Sequence, residues 1–229
     1  MMMKIQVMPV PSVLLEEDWE LLLSMVSAER RAGAARYVHQ ADAYRSVLGE
    51  VLARVTLADH IGGQVKDISF SRNAYGKPFL RDRADLSFNL SHSGGWVVMI
   101  SGGHDLVGID VEQTNPIDLQ IADRFFAPQE HRYLISQPAN MQIDTFYRLW
   151  TLKESYMKAV GKGLSIPLDS FAILPNDQGD WHCEQDEAYR FQSERLDDGH
   201  MLAACSVGTA LPTEYDVVTV QELVQAIRE

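Results

Sequence analysis

The stretch VGIDVEQ, residues 107–113, sets two carboxylates, Asp110 and Glu112, inside an apolar run. In a strand successive side chains point to opposite faces, so Ile109 and Val111 face one way and the two acids the other. The apolar pair anchors the strand in a core. Two neighbouring, partly buried acids repel each other and are driven toward protonation unless a cation offsets them. The plain alternative is an edge strand with one wet face.

Working outward, DTFYRLWTLKESYMKAVG is periodic at three to four residues and reads as a helix, with Asp144 as its N-cap and Gly161 as its stop. Trp150, Glu154, Met157, Lys158 and Gly161 then fall on one stripe. An i,i+4 ion pair between Glu154 and Lys158 explains two of them and is worth a few tenths of a kcal/mol. The functional reading makes Glu154 a third oxygen ligand beside Asp110 and Glu112. Three carboxylates without histidine or cysteine suit a hard ion such as Mg²⁺, which keeps waters and adds phosphate oxygens.

Anion-binding candidates lie upstream. SHSGGW places Ser91 and His92 before Gly94 and Gly95, where small residues let backbone amides approach a phosphate. Arg30, Arg31 and Arg36 lie on or beside one helical stretch, Arg45 opens the next helix, and Lys77 sits in the turn AYGKPF. Together they are candidates to cradle a second phosphate.

Length and composition bound the rest. At 229 residues the chain supports one large or two small domains with a real core, and two cysteines, Cys183 and Cys205, without CxxC spacing favour a reducing compartment. No targeting segment or long apolar run stands out, so the expectation is a soluble cytoplasmic protein with no membrane partner. A formal charge of −12 argues against nucleic-acid binding. Residues 1–104 carry 11 basic and 11 acidic side chains and residues 105–229 carry 9 and 21, so the acidity sits in the second half.

The two halves share a layout. DAYRSVLGEVLARVTLADH reads as a buried helix, DISFSRNAYGKPFL as strand, turn and strand, and LSFNLSHSGGWVVMIS as two strands about a Gly-Gly turn. LVGIDVEQ is a strand, DLQIADRFF a helix candidate, and FAIL, YRFQSER and HMLAACSV are strands after the long helix. The expected fold class is α+β: two pseudo-symmetric subdomains, 1–104 and 105–229, each a long helix on a small, mostly antiparallel sheet, with a ligand at their interface.

GIDVE followed about forty residues later by WTLKESYMKAVGKGL resembles the two signature motifs of the 4′-phosphopantetheinyl transferases, of the surfactin-synthetase-activating (Sfp-like) type. RYVHQADAYRSVLGE, FSRNAYGKPFL and FNLSHSGGWVV resemble that family's upstream blocks, in its order. The resemblance implies a monomeric enzyme that binds coenzyme A and Mg²⁺ between its subdomains. Such enzymes move phosphopantetheine to a serine of an apo acyl or peptidyl carrier protein and release 3′,5′-ADP. By similarity Asp110, Glu112 and Glu154 hold the metal, and Ser91, His92 and Lys158 touch coenzyme A phosphates. Arg30, Arg36, Arg45, Ser46 and Lys77 match the neighbourhood of the adenine and 3′-phosphate. Glu154 is the expected base, directly or through a metal-bound water, because a helix-borne carboxylate can reach both the ion and the incoming hydroxyl. Lys158 and His92 are expected to assist at phosphate oxygens. Gly33 departs from the family, whose members often carry a lysine there. Segment DLQIADRFFAPQEHRYL resembles the carrier-docking region, with Leu119, Phe125 and Phe126 as apolar contacts. The competing readings are a Mg²⁺-dependent pyrophosphatase or nucleotide phosphodiesterase, and a non-catalytic coenzyme A-binding module.

Overall fold

The computed structural model describes residues 2–104 and 106–229, apart from the side chain of Leu164; Met1 and Asp105, where the expected second subdomain begins, lie outside the described residues. The first half runs β1 (Lys4–Pro9), α1 (Glu16–Met25), α2 (Ala28–Ala34), α3 (Gln40–Ile61), β2 (Phe70–Arg72), β3 (Pro78–Leu80), β4 (Ser87–Ser93) and β5 (Trp96–Gly102). The second half runs β6 (Val107–Gln113), α4 (Ala122–Phe125), α5 (Pro128–Ser136), α6 (Gln142–Val160), β7 (Ile173–Pro175), β8 (Trp181–Cys183), β9 (Tyr189–Asp197), β10 (His200–Val207), β11 (Asp216–Val217) and α7 (Val220–Arg228).

The halves repeat one plan. A first strand, a long helix, a short hairpin and a strand pair occur as β1, α3, β2–β3, β4–β5 and again as β6, α6, β7–β8, β9–β10. The sheets agree: β1 joins β5 and β5 joins β4, while β6 joins β10 and β10 joins β9, all antiparallel. This is the α+β fold of paired subdomains that the alternating strand and helix patterns predict.

Strand alternation explains how the halves meet. On β5, Val97 and Met99 join the core around α3, where Val47, Leu48, Val51 and Leu52 are fully buried. Val98 and Ile100 point the other way, into a second core shared with Ile5 and Val7 of β1, Ile109 and Val111 of β6, and Leu202 and Ala204 of β10. Two inner sheet faces therefore pack on each other, as in a sandwich. Each fully buried aliphatic side chain in that layer contributes on the order of 1.5–3 kcal/mol.

Three local expectations change. Asp144 is not the N-cap of α6: the helix starts at Gln142, so Asp144 sits in its first turn, where its charge favours the helix dipole, and pairs with Arg195. DLQIADRFF is a 3₁₀ turn over Leu119–Ile121 followed by the single turn α4. The chain's last segment also leaves the second half: β11 pairs parallel with β1, and Val220, Leu223 and Val224 of α7 enter the α3 core.

Candidate active site

Site geometry begins at Gly108. A Cβ built there falls 1.9 Å from the Ser155 carbonyl oxygen and 2.6 Å from the Ala159 nitrogen, so α6 lies directly on the backbone of β6. The helix covers the β6 face opposite the shared core. Ala203 of β10 stands in register with Asp110 and keeps that face shallow. One turn apart on α6, Glu154 and Lys158 then reach the level of Asp110 and Glu112.

Across a seam from β6 runs β4, joined to it by side chains. Asn89 Oδ1 accepts from Ile109 N at 2.9 Å, and Ser93 Oγ accepts from Gln113 N at 3.1 Å. Ser91 Oγ donates to Asp110 Oδ1 at 2.8 Å, and Ser93 Oγ to Glu112 Oε2 at 2.7 Å. Three alternate residues of β4, Asn89, Ser91 and Ser93, thus serve the seam. Lys158 closes the arrangement, with Nζ 2.6 Å from Asp110 Oδ1 and 2.9 Å from Ser91 Oγ. Ser91, Asp110 and Lys158, from three elements and both halves, form one hydrogen-bonded knot.

Asp110 is 2 % exposed, so although β6 is the edge strand of its sheet, its acid-bearing face is covered at Asp110 rather than wet. Its Oδ2 is buried without a partner. Burial raises the pKa of Glu112 and of Glu154, and in each case the Asp110 charge raises it further. Such a set, one orphaned carboxylate oxygen beside two acids held toward protonation, has less positive charge near it than three carboxylates call for. Among the described residues no three acidic, histidine or cysteine side chains form a ready-made ion cluster, and Lys158 supplies the one close cation. The donor set is nevertheless all carboxylate oxygen, which fits a hard divalent ion.

These residues line an open cleft of about 490 Å³ between the halves, with Trp150, Glu154, Ser46, His92 and Arg30 on its walls. His92 stands exposed at the rim; the surrounding protein, with Lys158 and Arg45, lowers its pKa. A neighbouring cavity of about 280 Å³ shares Arg30, Glu50, Arg72, Pro78 and Leu90 with the cleft and adds the rings of Phe70 and Phe88. Arg30 is aimed by Glu50, whose Oε2 takes Arg30 Nε at 3.2 Å, while Arg30 also donates to Ser46 Oγ at 3.0 Å.

Other candidates lie elsewhere. Arg36 is exposed and lines neither cavity. Arg45 pairs with Asp42 and donates to the Gly94 carbonyl at 2.5 Å, so it braces the β4–β5 turn. Lys77 is spent on two main-chain carbonyls, Ala159 O in the last turn of α6 and Val107 O at the start of β6. Met157 leaves the cleft stripe for a core with Leu152 and Phe171, and Gly161 is the left-handed helix cap at φ 75°. In the segment expected to dock a carrier, Phe126 is core, whereas Phe125 is half-buried and packs edge-on against Trp150 at 5.7 Å. At Gly33 a Cβ meets nothing within 4 Å, so a side chain there has room.

Sequence reasoning missed several groups. Glu50, Arg72 and Ser93 sit in long polar-apolar mixtures and carry no motif signal of their own. Lys153, adjacent to Glu154, turns away from the cleft and is fully buried, its Nζ 2.6 Å from Glu130 Oε2 and 2.7 Å from the Phe171 carbonyl. Its period on the helix, on the covered side, was the available clue. That buried pair fixes α6 from behind.

The fold is α+β and two-lobed, and the cleft between its lobes is lined by both cationic and acidic side chains. Residues 14–104 match the model of the 4′-phosphopantetheinyl transferase N-terminal region, and residues 106–206 that of the 4′-phosphopantetheinyl transferase superfamily. The 4′-phosphopantetheinyl transferase Sfp of Bacillus subtilis is 37% identical over 211 residues, 91% of this chain and 94% of that one. The gsp transferase of Aneurinibacillus migulanus is 40% identical over 86% of this chain and 83% of its own, and psf-1 of Bacillus pumilus 36% over 97% of each. The chain belongs to the 4′-phosphopantetheinyl transferases and is an enzyme of the Sfp-like type.

Proposed function

We propose that the enzyme transfers 4′-phosphopantetheine from coenzyme A to a serine of an apo acyl or peptidyl carrier protein, releasing 3′,5′-ADP, with Mg²⁺ required. The observation carrying this reading is the knot of Ser91, Asp110 and Lys158 joining both halves in the cleft that Glu112 and Glu154 also line.

In this reading the nucleotide end lies toward Arg30, Ser46 and Arg72, with the adenine against the Phe70 and Phe88 wall. Lys158, Ser91 and His92 face the pyrophosphate. Asp110, Glu112 and Glu154 hold Mg²⁺, which when bound supplies Lewis-acid neutralisation worth several kcal/mol. The carrier serine oxygen attacks the pantetheine-side phosphorus, a new P–O bond forms, and the bond to the departing 3′,5′-ADP breaks. Glu154, a helix-borne carboxylate with no hydrogen bond to the described residues, takes the serine proton. Lys158 holds its ammonium at the phosphate oxygens where charge spreads during transfer. Phe125 and Leu119, beside Trp150 at the cleft, offer the carrier apolar contact. An acidic carrier is met by apolar docking rather than by charge, given the enzyme's own excess of acids.

Intact-mass analysis of apo-carriers incubated with enzyme, coenzyme A and Mg²⁺ tests this. The expected result is a gain of one phosphopantetheine per carrier together with 3′,5′-ADP. Coenzyme A cleavage with every carrier unmodified identifies a hydrolase instead, and binding without turnover a non-catalytic module.

A further inference from the structure

Lys77 has an unusual set of partners. It belongs to the β2–β3 hairpin of the first half, yet its Nζ donates to Ala159 O at 3.1 Å and to Val107 O at 3.2 Å, both in the second half. Ala159 lies in the last turn of α6, among the carbonyls a helix cannot satisfy by itself. Val107 opens β6, three residues before Asp110. One ammonium thus ties the end of the helix bearing Glu154 and Lys158 to the start of the strand bearing Asp110 and Glu112.

The hairpin is shaped for that contact. Asn73 Oδ1 accepts from the backbone nitrogens of Tyr75 and Lys77 at 2.9 Å each, which folds the turn. The amide's other end, Nδ2, donates to Gly161 O at 2.8 Å, so two donors from one turn cap α6. A Cβ at Gly161 would fall 3.0 Å from Lys77 Cδ, so the lysine stem passes close over the helix cap. A cation at a helix C-terminus is favoured by the dipole. Among the described residues no carboxylate pairs with Lys77, and burial lowers its pKa to about 8. A cation desolvated for two main-chain oxygens is costly, and the position it fixes is the spacing of β6 and α6.

We propose that Lys77 is a positioning residue that holds helix α6 and strand β6 at the separation the catalytic cleft needs, rather than a group that touches coenzyme A. This rests on the transferase reading above for its kinetic consequence. A lost clasp lets the last turn of α6 drift, and displacement of about 1 Å at a reacting centre costs on the order of 10²-fold.

The test compares Lys77→Met and Lys77→Arg with wild type in carrier modification, together with amide hydrogen exchange of residues 156–161 without substrate. For Lys77→Met the expected kcat falls by roughly 10- to 100-fold with KM for coenzyme A within about twofold, and exchange in the last turn of α6 rises about tenfold or more. Arginine, which keeps a charged donor fork, recovers much of both. A rise in KM for coenzyme A with kcat preserved makes Lys77 a substrate contact and overturns the proposal. So does faster exchange with unchanged kcat, or no change in either. If Lys77→Met does not fold, Asn73→Ser, which removes the cap bond to Gly161 O and loosens the exposed turn that presents Lys77, is judged by the same two readouts. Should wild type modify no carrier, the transferase reading falls, and the exchange data alone decide the clasp: unchanged protection in Lys77→Met overturns it.

Discussion

Replacing Gly108 with alanine adds one methyl group to the strand that carries Asp110 and Glu112. In an open strand alanine is favoured over glycine by roughly 0.5–1 kcal/mol. Here the sign reverses, because the new carbon falls 1.9 Å from Ser155 O and 2.6 Å from Ala159 N. Both obstacles are helix backbone, which no rotamer change can move. Restoring van der Waals contact requires α6 to retreat by about 1.5 Å, and overpacking of this kind costs about 1–3 kcal/mol. For a chain of this size that lowers Tm by about 2 to 12 °C. The retreat also carries Lys158 and Glu154 away from Asp110, so kcat for carrier modification is expected to fall by about 10²-fold or more at temperatures where the variant is fully folded. Differential scanning calorimetry and intact-mass kinetics on one preparation measure both. Gly108→Ala with wild-type Tm and kcat refutes the argument that backbone contact between β6 and α6 sets the site.

Asp110→Ala removes the buried carboxylate with the orphaned oxygen; transfer is expected to drop at least about 10³-fold while the urea midpoint stays within error of wild type or rises, because Glu112 and Glu154 lose a repelling neighbour. Lys153→Met leaves Glu130 buried and unpaired and is expected to cost about 3–5 kcal/mol in equilibrium unfolding. For Glu50, burial alone pushes the carboxyl upward, but donors from Ser27, Arg54 and Arg30 outweigh it and set the pKa below the ordinary 4.5. A lowered folded pKa means stability present above pH 4.5 and lost as pH falls through the folded value. Glu50→Gln is therefore expected to flatten that acid limb in denaturation measured from pH 6 down to pH 2, and an unchanged slope refutes the assignment.

The chemistry-bearing face of β6 was legible because a strand has a period of two: once Ile109 and Val111 are core, Asp110 and Glu112 must share the other side. Helical spacing likewise put Glu154 and Lys158 on a common stripe, and the turn residues marked both hairpins. The same periodicity misjudged Met157, which lies on the flank of that stripe and turns into the core with Phe171. Period and propensity thus assign a side chain to a face, but leave open what it meets there.

What the sequence determined by itself was local: which segments are strands and helices, which residues alternate toward solvent or core, and that one family's motifs stand in order along the chain. Tertiary structure alone decided where the long cationic side chains end. Arg45 and Lys77 look like phosphate ligands in one dimension, and folding turns both onto main-chain carbonyls, at Gly94 in one case and at Val107 and Ala159 in the other. The return of α7 to the α3 core and the backbone contact at Gly108 belong to the same class. Each depends on contacts between residues distant in the chain, and a flexible side chain with several possible partners takes the one that packing brings within hydrogen-bond reach.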